Sequence, residues 1–236
     1  MEDMDLLEMD IVDTIIERPY GFHVGDRHFY IYHPTLGKTY LLLRLFKELG
    51  INDEIISANP YMEALRLCES KRDIVCRILA YSTYCSKDDI LDNLKIDNRA
   101  SLFNEWLDSE ELATLFIVIL SFGSIESYIH HLGIDKDIDL KNKISELRNN
   151  SGFISLGGHS EYGLLIDPVC ERYGWSKDYV LWGISYSNLK MLLADKIESI
   201  SLSKEEMRRL HIFDNKNYIN ADDPKNKEII RELLND

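Results

Sequence analysis

The residues of this chain that come closest to catalytic machinery are Gly37-Lys38-Thr39, in the stretch HPTLGKTYLLLRLFKELG at 33–50. They match the last three letters of a phosphate-binding loop, G-x-x-x-x-G-K-[ST], in which backbone N–H groups cradle phosphates and the lysine reaches the β- and γ-phosphates. An apolar helix is expected to follow, as such a loop requires. The rest of the pattern is missing. Tyr32 stands where the first glycine belongs and does not take glycine's backbone angles. Pro34 removes an N–H from the nest that would hold the phosphates. A Walker B strand has its nearest match in Leu164-Leu165-Ile166-Asp167, but Pro168 follows at once, and a helix with Asp167 as N-cap and Pro168 at its first position accounts for both. The expectation is that no nucleotide binds, that Pro34-Thr35 turns the chain from strand into helix, and that Lys38 is solvated.

Other residues with chemical potential give less. There are seven histidines, and His130 and His131 are adjacent, so on a helix they point about 100° apart. His159 and Glu161 flank Ser160 in the glycine-rich stretch, which admits a hydrolase using the Gly157–Gly163 loop. The G-x-S-x-G nucleophile elbow is absent, and a surface loop is the simpler reading. Asp88-Asp89, Glu110-Glu111 and Glu205-Glu206 fall in first helical turns, where carboxylates complement the helix dipole. Cys68, Cys76, Cys85 and Cys170 form no C-x-x-C pair and read as buried apolar side chains in a reducing compartment. No catalytic, cofactor-binding or metal-ligating residue is assigned, no cofactor is expected, and the chain reads as no enzyme.

The informative pattern is aromatic. Trp175, Tyr179, Trp182, Tyr186, Leu189 and Leu193 are spaced 4, 3, 4, 3 and 4 apart. On one continuous helix they form a single seam, like the a and d positions of a coiled coil. Val180, Leu181, Ile184 and Leu192 lie on other faces, so the segment is apolar over more than one contact needs. Two readings stand: a helix buried on two sides within its own domain, or a partner-binding seam in which Trp and Tyr supply the anchors.

These residues have to be positioned by a mainly α (α+β) fold, helical with a short N-terminal antiparallel β-hairpin. Residues 1–19 form an acidic arm, with Met4, Leu7, Ile11 and Ile15 at helical spacing; either they make a short amphipathic helix or the end of the arm forms a strand. Residues 20–148 form a β-hairpin plus helical domain. Phe22 and Val24 alternate before Gly25-Asp26, Phe29 and Ile31 after it, and the two-residue loop suits a primed turn. After Pro34 the period becomes 3.6. A helix over 35–49 is capped by Thr35, carries Leu42, Leu45, Phe46 and Leu49 on one face, and ends at Gly50. Helical segments follow over 61–84, 87–95 with a Ser86/Asp89 capping box, 101–107, 110–122 opened by Ser109, 125–132 opened by Ser124, and 135–149. Residues 149–163, NNSGFISLGGHSEYG, are a glycine-rich linker. Residues 164–236 form a C-terminal helical region: one helix closed by Gly174, a second from Ser176 to about Ile197 with a kink near Gly183, a Ser203/Glu206 capping box, a polar stretch at 214–226 and a short helix at 225–235.

The chain has 236 residues, 41 Asp+Glu against 27 Lys+Arg, and a formal net charge of −14. That surface repels phosphate backbones and anionic lipid, which argues against nucleic acid and membrane as partners. The longest apolar run, 115–120, is far short of the roughly 20 residues of a membrane span. The N-terminal MEDMDLLEMD is acidic where a signal peptide begins basic, so a cytoplasmic location is expected.

Two stretches carry a resemblance. The hairpin-to-helix run VGDRHFYIYHPTLGKTYLLLRL resembles the N-terminal part of bacteriophage tail assembly chaperones, and IDPVCERYGWSKDYVLWGISYSNLKMLLADKI is similar to their C-terminal helical segment. The resemblance covers about a quarter of the chain, and the polar region after residue 200 has no counterpart in it. It implies a small, mostly helical, non-catalytic protein of the host bacterial cytoplasm. Such a protein binds the long tape-measure protein and keeps it soluble until tail-tube protein assembles around it. The client is then helical, self-association is open, and the 175–193 seam is the candidate contact. A structural or adaptor subunit of a phage particle is the alternative.

Overall fold

Alternating residues on either side of Gly25-Asp26 make the hairpin that their pattern implies. Strands β1 (Tyr20–Val24) and β2 (Arg27–Ile31) pair antiparallel, with Val24 opposite Arg27 and Tyr20 opposite Ile31. Phe22, Val24 and Ile31 are buried, as the two-residue period of a strand requires. Gly25 takes φ +56°, and a Cβ there would come 3.1 Å from the Trp106 ring; backbone and neighbour both call for glycine. The computed structural model describes residues 2–148 and 159–211. Apart from this hairpin the architecture of those residues is helical.

The helices run in order: α1 (Glu2–Ile15), α2 (Leu36–Leu49), α3 (Asp53–Ala58), α4 (Pro60–Ser70), α5 (Arg72–Ser82), α6 (Lys87–Leu91), α7 (Asn93–Trp106), α8 (Ser109–Ser121), α9 (Glu126–His131), α10 (Ile134–Arg148), α11 (Asp167–Tyr173), α12 (Lys177–Trp182), α13 (Tyr186–Ala194) and α14 (Lys204–Arg209). The α2 boundaries follow the sequence signals. Thr35 accepts from the Lys38 N–H, and Gly50 closes the helix at φ +59°.

Other boundaries depart from the pattern, each for a local reason. The expected helix over 61–84 is two helices. Lys71 leaves helical geometry at φ −137°, and its Nζ donates to the carbonyls of Glu48 and Leu49 at the end of α2. The expected segments 87–95 and 101–107 divide elsewhere, because the Asp92 side chain accepts from Leu94 and Lys95 N–H groups and opens α7. Asp108, not Ser109, caps α8, in a capping box with Glu111. Ser124 provides no cap for α9; its hydroxyl bonds Glu126 instead. Ser86 does accept from the Asp89 N–H, but the Asp89 carboxylate returns to the Ser86 hydroxyl rather than its backbone, so the box is half made. Asp167 caps nothing: a π-helical turn, Tyr162–Ile166, runs straight into α11. The linker at 149–158, the polar stretch at 214–226 and the helix at 225–235 lie outside the described residues.

Two compact units divide the chain, one of residues 1–134 with 156–196, the other of 135–155 with 197–236. In the first, α4 packs on α8 and α5 on α7. Leu67, Val75, Ile78, Leu79, Phe103 and Phe116 form the centre of a core that reaches the hairpin and α2. A second cluster gathers Leu36, Ile166, Val169, Val180, Ile184 and Leu189. Helix α2 serves both, with Leu42 and Leu49 in one cluster and Leu36 in the other.

Lys38 belongs to this interior. It is 1% exposed rather than solvated, and its Nζ donates to the Tyr84 carbonyl. Glu63 is buried too. It takes both Nε and Nη2 of Arg66 and also the Asn52 N–H.

In the second unit Arg148 donates to Glu206 at 2.8 Å and to the Ser201 carbonyl. Glu206 also closes the capping box with Ser203. The Arg148 guanidinium first, then the Ser203 N–H and hydroxyl, pull the Glu206 carboxyl down to about 2.

Candidate partner-binding surface

The residues of the 175–193 seam are divided between two helices. Gly183 ends α12 and Ser185 caps α13 by accepting from the Asn188 N–H, so the expected continuous helix is broken over 183–185. The break is held from outside. Ser185 bridges Thr35, the Tyr186 N–H donates to the Pro34 carbonyl, and the Ser185 N–H donates to Glu17. The 4-3-4-3-4 spacing therefore makes no single stripe.

Each member has its own environment. Trp175 precedes α12, half-buried, stacked on Tyr173 at 4.7 Å and edge-on to Tyr179 at 5.0 Å. Tyr179 is exposed and lies across Gly183, where a Cβ would fall 2.2 Å from its ring. Trp182 is half-buried against Gly37 of α2. Tyr186 is half-buried, its phenol pKa pushed up chiefly by burial. Leu189 is fully buried in the second cluster, and Leu193 packs half-buried against it. Leu192 beside it stays exposed.

The larger apolar surface lies on α1. Leu7 and Ile11 are half-buried and Thr14 is buried, making the packed side. Glu17, at φ +54°, pins the end of the helix by accepting from the Ser185 N–H and Asn188 Nδ2, while Asn188 also donates to the Ile15 carbonyl. The other side holds Leu6, Met9, Val12, Ile15 and Ile16, each between 54 and 65% exposed. Ile15 thus leaves the inward stripe in which its spacing placed it. The signal was present in the sequence: α1 carries two apolar stripes, and the spacing 4, 7, 11, 15 singles out only one. Glu8, Asp10 and Asp13 border the exposed face, and residues 2–15 contain no Lys or Arg.

The remaining chemical groups are scattered. His131 Nε2 sits 3.9 Å from Glu8. His159, Ser160 and Glu161 are exposed, with the Tyr40 hydroxyl 3.5 Å from the Glu161 carboxylate; Gly157 and Gly158 lie outside the described residues. Cys68 and Cys76 are buried as expected, their thiols pushed up to about 12 and about 11 by desolvation, but Cys85 is exposed and Cys170 only half-buried. Among the described residues no three His, Cys, Asp or Glu side chains gather as metal ligands would, and no helix is long and apolar enough to cross a membrane. No protein-family model, curated protein or solved structure matches the chain.

Proposed function

We propose that this protein is a client-holding assembly chaperone of the bacteriophage tail assembly kind, non-catalytic, acting in a host bacterial cytoplasm on a long helical client, the tape-measure protein. The exposed face of α1 carries the reading. Single exposed apolar side chains are ordinary on a protein surface, but a contiguous row of Leu6, Met9, Val12, Ile15 and Ile16 is a place for a partner. A helical client offers the complementary ridge, and the acidic surround keeps unloaded copies apart. The resemblance of the hairpin–α2 and α11–α13 stretches points the same way.

The test is co-expression with tape-measure proteins of tailed phages, followed by size-exclusion chromatography. Co-elution is expected, and it should be lost in Met9→Glu/Ile16→Glu, whose melting should match the parent because both side chains face solvent. Failure of the parent to hold the client overturns the reading. A variant that holds it equally well moves the contact away from α1. Retention in finished particles makes the protein a structural subunit instead.

A further inference from the structure

We propose that the cleft between the hairpin and α7 is an oxyanion site, taking a ligand whose negative charge is borne by phosphate or carboxylate groups. The cleft measures about 600 Å³ and is walled by Arg27 and His28 of β2, by Lys95, Asn98 and Arg99 of α7, and by Tyr84. No Asp or Glu lines it, in a chain where acids outnumber Lys+Arg by 41 to 27. A hollow of similar size on the other flank of α7 is lined by Glu48, Asp73 and Asp97, with Arg77 paired to Asp97 at 2.6 Å. Helix α7 thus separates charge, and its cationic side meets the hairpin.

Two of the three cations are held in place. The Arg99 guanidinium lies 3.8 Å over the Tyr84 ring and 5.3 Å from Phe29, with Nη1 donating to Thr83 Oγ1 at 3.1 Å. Stacking occupies the face of a guanidinium and leaves its edge to grip an oxyanion. Lys95 is set by Asp89 at 2.5 Å. Arg27 is exposed and pairs with no acid among the described residues. Against the three cations stand Asp89 and Asp92, so the cleft keeps a net positive charge, which an oxyanion balances. Pocketed guanidinium and ammonium groups on an acidic molecule concentrate such a ligand where the rest of the surface repels it.

The experiment is a two-dimensional NMR titration of the ¹⁵N-labelled full chain at low salt, once with inorganic pyrophosphate and once with a tetra-aspartate peptide. Saturable shifts at residues 27–28, 84 and 95–99 are expected in at least one series. The series that saturates at lower concentration tells a phosphate ligand from an acidic protein segment. Arg27→Ala, at an exposed side chain, should weaken binding about tenfold, and Lys95→Gln should weaken it independently. Shifts that never saturate in either series, shifts scattered over the surface, or unchanged affinity in Arg27→Ala would overturn the proposal.

Discussion

Lys38 Nζ donates a 2.7 Å hydrogen bond to the main-chain carbonyl of Tyr84, from a side chain that is 1% exposed. Tyr84 lies just past the end of α5, whose last carbonyls are already taken, Tyr81 by the Tyr84 N–H and Ser82 by the Tyr32 N–H. A cation there complements the helix dipole. The residue that looks most like a phosphate ligand in the sequence is therefore turned inward, serving the join between α2 and α5.

Burial pulls the Lys38 ammonium down to about 8 from 10.5. Between those values the unfolded chain binds more protons, so this group makes stability rise with pH from about 8 to 10.5, by on the order of 3 kcal/mol. Cys68 and Cys76 act the other way above about pH 9, since their thiols ionise more easily once unfolded. The difference between parent and Lys38→Met isolates the lysine. That difference in urea-unfolding free energy should shift in favour of the parent by the stated amount across the window. A constant difference would refute the buried ammonium.

His33 works on the acid side. Its ring stacks on Phe122 at 4.0 Å, its Nδ1 is buried without a hydrogen-bond partner, and desolvation pulls its pKa below 6.5. The unfolded chain binds the proton first, so stability contributed by neutral His33 is complete above about pH 6.5 and is lost as pH falls below it toward the folded value. His33→Phe keeps the stack and should flatten this loss, read from urea midpoints at about pH 7 and 5.5.

The four thiols should separate by burial. Cys85 is exposed and Cys170 half-buried, whereas Cys68 and Cys76 are 0 and 1% exposed. A thiolate must form and be reached before it reacts. A disulfide reagent on the native protein should label Cys85 first and Cys170 more slowly. Cys68 and Cys76 should react only at the rate of unfolding, and prompt reaction of all four would contradict the core as described.

Local signals were legible in the sequence where one residue type has one physical use. Gly25-Asp26, Thr35 and Gly50 set the hairpin and α2 because a positive φ or a capping oxygen leaves little choice. What stayed hidden depends on distant partners. Lys71 breaks a helix to reach the end of α2, and nothing within 61–84 announces it. The seam at 175–193 reads as one stripe because its spacing survives a break that Gly183 and Ser185 do encode, yet the break is fixed only by Glu17, Pro34 and Thr35, at least 148 residues away. The α1 face is a different case. Its residues were visible, but which of two apolar stripes faces water is decided by α13. The cationic cleft has no sequence signature, since Arg27 and Arg99 meet only through the packing of the hairpin on α7.

Gly37 offers the sharpest test of what the GKT tripeptide is for. In a phosphate-binding loop that glycine serves the ligand. Here a Cβ on it would come 2.8 Å from Cη2 and Cζ2 of Trp182, closer than carbon atoms approach, with the indole wedged between α2 and α12. Gly37→Ala should destabilise by about 1–3 kcal/mol through overpacking. Trp182→Leu removes the obstacle at its own cost in buried area. If the two residues are in contact, the double variant should be more stable than the sum of the single losses predicts, with a coupling of about 0.5–3 kcal/mol. Chemical denaturation of the four proteins measures it. Strict additivity would place Gly37 outside the α2–α12 contact, and a loss of stability only in the presence of added nucleotide would return the tripeptide to phosphate binding.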